Sequence, residues 1–181
     1  MDIRGGTLED VGAVLALLDG AVEWLVAQGR TGQWGTEPWS TQPALVERVT
    51  DRARRGELRV AVLEGEVAGA LSVSETASDH VVPAGEPELY VNLLTTGRRF
   101  QGLGVGAALL AEARAEARAE ARRRGLPLLR VDCYAGDDRK LVAYYRSQGF
   151  TEVGPFTVRR QDRPDWPGML LAQRLDGRAA G

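Results

Sequence analysis

The hexapeptide Gln101-Gly102-Leu103-Gly104-Val105-Gly106 sets a glycine at every second position just before the longest helix-forming run of the chain. Glycine gives up more backbone freedom on ordering than any other residue, so three of them at a helix start carry a cost. A ligand that must come close to bare backbone would offset it. The preceding segment ELYVNLLTT, Glu88 to Thr96, is nearly continuous in apolar, β-prone residues and is expected to be a central strand. A strand, a glycine turn and a helix bring several main-chain N–H groups to one point. The first N–H groups of a helix lack an internal partner, and their dipoles favour negative charge. Such a turn is suited to phosphate or pyrophosphate. The alternative reading of the same glycines is a tight connection with no ligand.

Composition narrows what that ligand serves. The chain has 181 residues, 44% of them hydrophobic, and a net charge of −2. This is the profile of a single domain over residues 1–181 with room for a core. Near-neutral charge gives no electrostatic case for nucleic acid or a membrane surface as partner. One cysteine, Cys133, and one histidine, His80, leave no internal disulfide and no basis for a metal site. No apolar run approaches the ~20 residues of a membrane helix, and the opening MDIRGGTLED lacks a secretion pattern. A cytoplasmic location is the expectation.

The elements alternate unevenly. DIRGG is expected to be a short strand, and Thr7 with Asp10 forms a capping signal before a helix that ends at Gln28-Gly29. The loop RTGQWGTEPWST carries Trp34 and Trp39, which either line an acceptor pocket or anchor the loop to the core. A second helix follows from Pro43 to Gly56. Two β-prone runs around Glu64-Gly65-Glu66 predict a hairpin. After the glycine turn a helix runs to about Arg124, stopped by Gly125 and Pro127. LLRVDCYA is a strand, DDRKLVAYYRSQ a short helix, and FTEVGPFTV and GMLLAQRL a closing antiparallel pair. Strands that arrive in runs as well as singly fit α+β better than a repeating βα array. In the alanine-rich helix, Glu112, Glu116 and Glu120 form a like-charge row, as do Arg114, Arg118 and Arg122. Alanine propensity must carry that helix, and only Glu120 is well spaced to attract Arg123 or Arg124.

Two phosphate motifs are excluded. No Gly-Lys-Ser/Thr follows the glycines, as a P-loop needs. The spacing Gly102, Gly104, Gly106 with Ala107 breaks the dinucleotide fingerprint. Gln101 to Gly106 instead matches Q/R-x-x-G-x-G/A, continued by Ala107-Ala108-Leu109-Leu110. This resembles the acyl-CoA signature of the GCN5-related N-acetyltransferase (GNAT) superfamily. DDRKLVAYYRSQGF is similar to a second element of that family, with Tyr145, Gly149 and Phe150 in register. Asp138 stands at its asparagine position and Leu141 at its small-residue position.

The resemblance implies an α/β (α+β) fold: a central mixed, mostly antiparallel sheet, splayed between its fourth and fifth strands and flanked by helices. It implies an acetyl-CoA-dependent N-acetyltransferase acting on a primary amine of a small molecule or peptide by direct attack. The co-substrate would be held by Gln101, Gly102, Leu103, Gly104, Val105 and Gly106 at its diphosphate. Leu94, Thr95 and Thr96 would run beside its pantetheine arm as a strand-like addition, with Asp138 nearby. Tyr145 would protonate the leaving thiolate, since a tyrosine of ordinary pKa ~10 is protonated at neutral pH. Glu88 is the first candidate to take the amine's proton, ahead of Asp132, His80 and Asp79. Cys133, in an apolar strand, is expected to be inert filler. A homodimer is in keeping with the family. The alternatives are a GNAT-fold acyl-CoA sensor or scaffold without turnover, and a nucleotide-binding protein using the same glycines.

Overall fold

The computed structural model describes residues 1–124, 128–136, 138–161 and 163–175. They contain seven strands in the sheet order β1-β2-β3-β4-β5-β7-β6. Those strands are β1 (Asp2–Gly5), β2 (Leu58–Leu63), β3 (Glu66–Ser74), β4 (Glu88–Thr96), β5 (Leu128–Tyr134), β6 (Thr151–Val158) and β7 (Trp166–Arg174). The helices are α1 (Val11–Ala27), α2 (Pro43–Arg54), α3 (Val105–Arg124) and α4 (Lys140–Ser147). Two compact units form, each from two stretches of sequence: Met1–Val73 with Leu93–Glu112, and Ser74–Asn92 with the described residues from Ala113 onward.

In the first unit β1 and β2 are antiparallel, from Asp2↔Val62 to Gly5↔Arg59. The β2–β3 hairpin turns through Glu64 and Gly65, both at positive φ (54° and 82°), the geometry that matches the twist of the flanking strands. The apolar positions of α1 recur at helical spacing, and Val14, Leu15 and Leu18 pack with Val49, Leu58, Val60, Ala70 and Leu93. Trp34 and Trp39 pack against this core and meet edge-to-face with ring centroids 5.6 Å apart. The anchoring reading of the two tryptophans is therefore the one the packing supports.

The Thr7–Asp10 signal is present, in front of a short 3₁₀ turn that leads into α1. Asp10 is 6% exposed. Its carboxylate accepts the Thr7 N–H at 2.8 Å and both terminal nitrogens of Arg4 at 2.8 Å. The Arg4 hydrogen bonds lead in holding its pKa down at about 2, against 3.8 ordinarily. A carboxylate depressed in the folded state contributes stability above its unfolded pKa, and that contribution is lost as pH falls from about 4 toward 2. Asp10→Asn is expected to cost about 1 kcal/mol at neutral pH. In a denaturant series across pH, the gap to wild type should close near pH 2; a constant gap would contradict the linkage.

The second unit is a mixed sheet. β4 and β5 are parallel from Glu88↔Leu128 to Val91↔Val131, while each strand continues, to Thr96 and to Tyr134. β5 and β7 are antiparallel from Leu128↔Arg174 to Tyr134↔Gly168, and β6 pairs antiparallel with β7. Val81, Tyr90 and Leu170 form its buried cluster, with Ala77 and Phe156 against them. α3 runs through both units, with Leu109 and Leu110 fully covered in the first and Ala113 and Ala117 in the second. Small side chains there let the helix lie close to its neighbours. Glu120 pairs with Arg123 and Arg124 as its spacing predicts. The expected stop at Gly125 and Pro127 lies outside the described residues.

Candidate active site

Candidate site residues lie in both units. In the first, β4 leads into a 3₁₀ turn at Arg98–Phe100, and the Gly97 N–H donates to Ala68 O at 2.8 Å. Gly102 and Gly104 follow at φ +83° and +75°, the left-handed region in which an L side chain is strained. α3 begins at Val105, so the three glycines divide. Two shape the turn, and Gly106 already belongs to the first turn of the helix. No atom lies within 4 Å of where a Cβ on Gly102 or Gly104 would stand. The turn faces open space rather than packed protein. The first helical bond closes from Ala108 N–H to Gly104 O at 2.9 Å. The N–H groups of Val105, Gly106 and Ala107 therefore precede the helical ladder, as expected at a helix start.

Arg98 holds the approach to this turn. Its guanidinium lies 3.9 Å from the centre of the Trp24 ring and donates to Gln101 Oε1 at 2.8 Å. Arg99 pairs with Glu66. Neither Trp24 nor Arg98 was singled out from the sequence, because their partnership joins α1 to a turn far along the chain. Upstream, Thr95 is buried, and Leu94 and Thr96 are half-buried.

In the second unit Tyr145 lies on α4, 6% exposed, with the rings of Tyr144 and Phe150 at 5.5 and 5.8 Å. Burial first, then the neighbouring Cys133, pushes its hydroxyl well above the usual tyrosine range. It therefore stays protonated at any working pH, as a proton donor must. Gly149 ends α4 at φ +87°, which lets the Phe150 N–H turn back to Tyr145 O at 3.1 Å. The Gly-Phe pair of the motif thus fixes Phe150 beside Tyr145. Asp138 sits at the start of α4, where Oδ1 accepts the Lys140 N–H at 3.1 Å and Oδ2 lies 3.2 Å from Lys140 Nζ.

Glu88, the first candidate for the amine's proton, is already engaged. Its carboxylate is held in a two-pronged ion pair with Arg130, Nη2 to Oε1 at 2.6 Å and Nε to Oε2. Arg130 also donates to Val82 O at 2.8 Å. The two side chains are only 9% and 5% exposed. Both carboxylate oxygens of Glu88 are thus occupied by Arg130. Nothing in the local sequence couples it to Arg130; the parallel β4–β5 register does, setting Tyr90 opposite Arg130. Glu88→Gln leaves Arg130 buried without its counter-charge and is expected to cost about 3 kcal/mol. Urea denaturation measures it, and a cost below about 1 kcal/mol would show the pair to be dispensable.

Asp132, on β5, is the next carboxylate in line. Tyr90 donates its hydroxyl to Oδ1 at 2.5 Å. Burial raises the Asp132 pKa, while the Tyr90 hydrogen bond and the charge of His80 pull it back. His80 and Asp79 themselves are exposed. Cys133 is buried, and burial pushes its thiol up to about 12. Such a thiol is no nucleophile near neutral pH. Cys133→Ala is expected to keep kcat within about twofold of wild type, and intact-mass spectra during turnover should show no acetylated protein; an acetyl adduct on Cys133 would overturn this.

The family model for the acetyltransferase (GNAT) family matches residues 16–150, a span that holds the glycine turn and reaches Phe150. The chain belongs to the GNAT acetyltransferase family. It is 26% identical over 151 residues to "Uncharacterized N-acetyltransferase YesJ" of Bacillus subtilis (strain 168), covering 81% of this chain and 79% of that protein. Among solved structures it is similar to the ribosomal-protein-alanine N-acetyltransferase of Brucella melitensis, with TM-score 0.69, 26% identity, and coverage of 97% and 100% of the two chains. The yncA protein of Salmonella typhimurium, solved with its cofactor acetyl-CoA, shares the fold at TM-score 0.68 and 21% identity, covering 100% and 97%. The mixed seven-stranded sheet with its parallel β4–β5 pair is the fold of these neighbours. Among the described residues, no helix is long and apolar enough to cross a membrane.

Proposed function

We propose that this chain is a single acetyltransferase domain that transfers the acetyl group of acetyl-CoA to the primary amine of a small molecule or peptide by direct attack. The observation that carries the proposal is the glycine turn. Gly102 and Gly104 hold left-handed backbone in front of α3, with open space where their side chains would be. Gly29, Gly56, Gly65 and Gly85 share this open left-handed geometry; what sets Gly102 and Gly104 apart is their place directly before a helix start, inside the Q/R-x-x-G-x-G/A match. The fit to a coenzyme A diphosphate rests on this opening and on the N–H groups at the start of α3.

The bound co-substrate would supply an activated thioester. The protein's own residues do the rest. Main-chain N–H groups of residues 101–106 bind the diphosphate. The β4 residues Leu94, Thr95 and Thr96 guide the pantetheine arm, and backbone N–H groups there polarise the acyl carbonyl as charge develops on its oxygen. Tyr145 protonates the departing sulfur. Asp138, engaged at the start of α4, contributes an acceptor toward the arm and no amide donor. The proton of the incoming amine passes to Asp132 rather than to Glu88, whose carboxylate Arg130 already occupies.

An amine panel incubated with acetyl-CoA, with thiol release as the readout, tests the transfer. Turnover with at least one amine, and acetylated product by mass spectrometry, is the expected result. Tight acetyl-CoA binding with no transfer to any amine would favour a sensor or scaffold. Competition by ATP or NAD in place of coenzyme A would favour a nucleotide-binding protein.

A further inference from the structure

We propose that Asp132, clamped by Tyr90, is the receptor and proton acceptor for the ammonium group of the acceptor, and that the aromatic rings beside it carry an apolar amine body. The inference rests on the acetyltransferase reading above and names the substrate class it serves. Strand register puts the parts on one face. Asp132 pairs with Leu170, Tyr134 with Gly168, and Gly168 with Phe156. Directly paired residues share a face, and alternation adds Trp166 to it.

Other carboxylates on this face have arginine partners: Glu88 has Arg130 and Glu86 has Arg174. Among the described residues, Asp132 has no arginine or lysine at ion-pair distance; its side-chain partner is the Tyr90 hydroxyl. A half-buried carboxylate with no arginine or lysine partner is costly, and a ligand cation lowers that cost. Tyr90 is fully buried, and burial pushes its hydroxyl far above the ordinary tyrosine range. It donates to Oδ1 at every accessible pH, fixes the carboxylate, and leaves Oδ2 for the ligand.

The surroundings select what the ammonium is attached to. Trp166 has its ring centre 5.7 Å from that of Tyr134 and 5.9 Å from that of Phe156. A Cβ on Gly168 would stand 2.3 Å from the Phe156 ring, so the absence of a side chain there makes room for that ring. Aromatic faces attract organic cations and cover apolar carbon. In becoming an amide the ammonium nitrogen loses two protons. Asp132 takes the first, before the C–N bond forms. The second leaves the nitrogen as the C–N bond replaces the C–S bond and restores the Tyr145 hydroxyl, which has given its own proton to the departing sulfur; Asp132 returns its proton to solvent.

Calorimetric titration of wild type, Asp132→Asn and Tyr90→Phe with hexylamine, with hexanoate as control and acetyl-CoA titrated separately, tests the proposal. Wild type is expected to bind hexylamine at least tenfold tighter than Asp132→Asn, with Tyr90→Phe between them, no heat from hexanoate, and equal acetyl-CoA affinity in all three. The titratable groups whose charges act on Asp132 are Tyr90 on β4 and His80 on the loop before it, with Cys133 on β5, Tyr145 on α4 and the Glu88–Arg130 pair within electrostatic reach. Removing the Tyr90 hydrogen bond takes away support for the charged carboxylate. The acid limb of kcat/KM should therefore move to higher pH in Tyr90→Phe, a shift that loss of packing alone does not produce. Equal hexylamine affinity in wild type and Asp132→Asn, or no hexylamine binding by wild type, would overturn the proposal. Should Asp132→Asn fail to fold, Tyr90→Phe carries the test, and an unmoved acid limb overturns it. A wild type that binds hexylamine but not acetyl-CoA would strike the acetyltransferase reading instead.

Discussion

Replacing Gly104 by valine is expected to weaken acetyl-CoA binding by at least about 100-fold while leaving the protein folded. Two effects combine. Gly104 sits at φ +75°, where a β-branched side chain costs roughly 1–2 kcal/mol. The new side chain would also fill the open space in front of the turn, since no atom stands within 4 Å of its Cβ. The protein itself therefore suffers only the backbone strain, and the ligand suffers the collision. A fall of a few degrees in Tm with near-total loss of acetyl-CoA affinity is the expected pattern. Gly106→Ala makes the contrast. That residue lies inside α3, where alanine is favoured by about 1 kcal/mol, so the fold should gain or hold stability. If Gly104→Val bound acetyl-CoA like wild type, the turn would have no part in recognition.

Tyr145→Phe is expected to lower kcat by about 100-fold, the lower end of what positioned proton transfer contributes, with acetyl-CoA affinity unchanged. The hydroxyl is the only group lost. The ring keeps its place between Tyr144 and Phe150, and the backbone bond from Phe150 to Tyr145 O is untouched. A stability change above about 2 kcal/mol with full residual kcat would assign Tyr145 to packing alone. The expected split, kcat down and affinity held, is the signature of an interaction made during the reaction.

What could be read in advance followed from how local each signal is. The strands and helices were legible because their periodicity, the capping pair Thr7–Asp10 and the hairpin turn at Glu64–Gly65 act over a few residues. The glycine turn and the Tyr145-Gly149-Phe150 element were legible because their spacing is set within one strand–turn–helix unit and one short helix. The pairing of Glu88 was not legible because its partner Arg130 is 42 residues away and meets it only through the parallel register of β4 and β5. Tyr90 escaped notice for the same reason: as one apolar residue in a central strand it predicts burial, and only the neighbouring strand supplies Asp132. Trp34 and Trp39 were open between pocket and core, since a loop sequence does not say which side of an aromatic ring is covered.

Amide spectra of the uniformly ¹⁵N-labelled protein, recorded on titration with acetyl-CoA and in parallel with acetylpantetheine, which lacks the diphosphate, test the central claim most directly. The account predicts large, saturating shifts of the Gly102, Gly104 and Gly106 N–H signals with acetyl-CoA and little movement of the same signals with acetylpantetheine. If acetyl-CoA saturated the protein while those three signals stayed at their free positions, the main-chain turn before α3 would not be the diphosphate site.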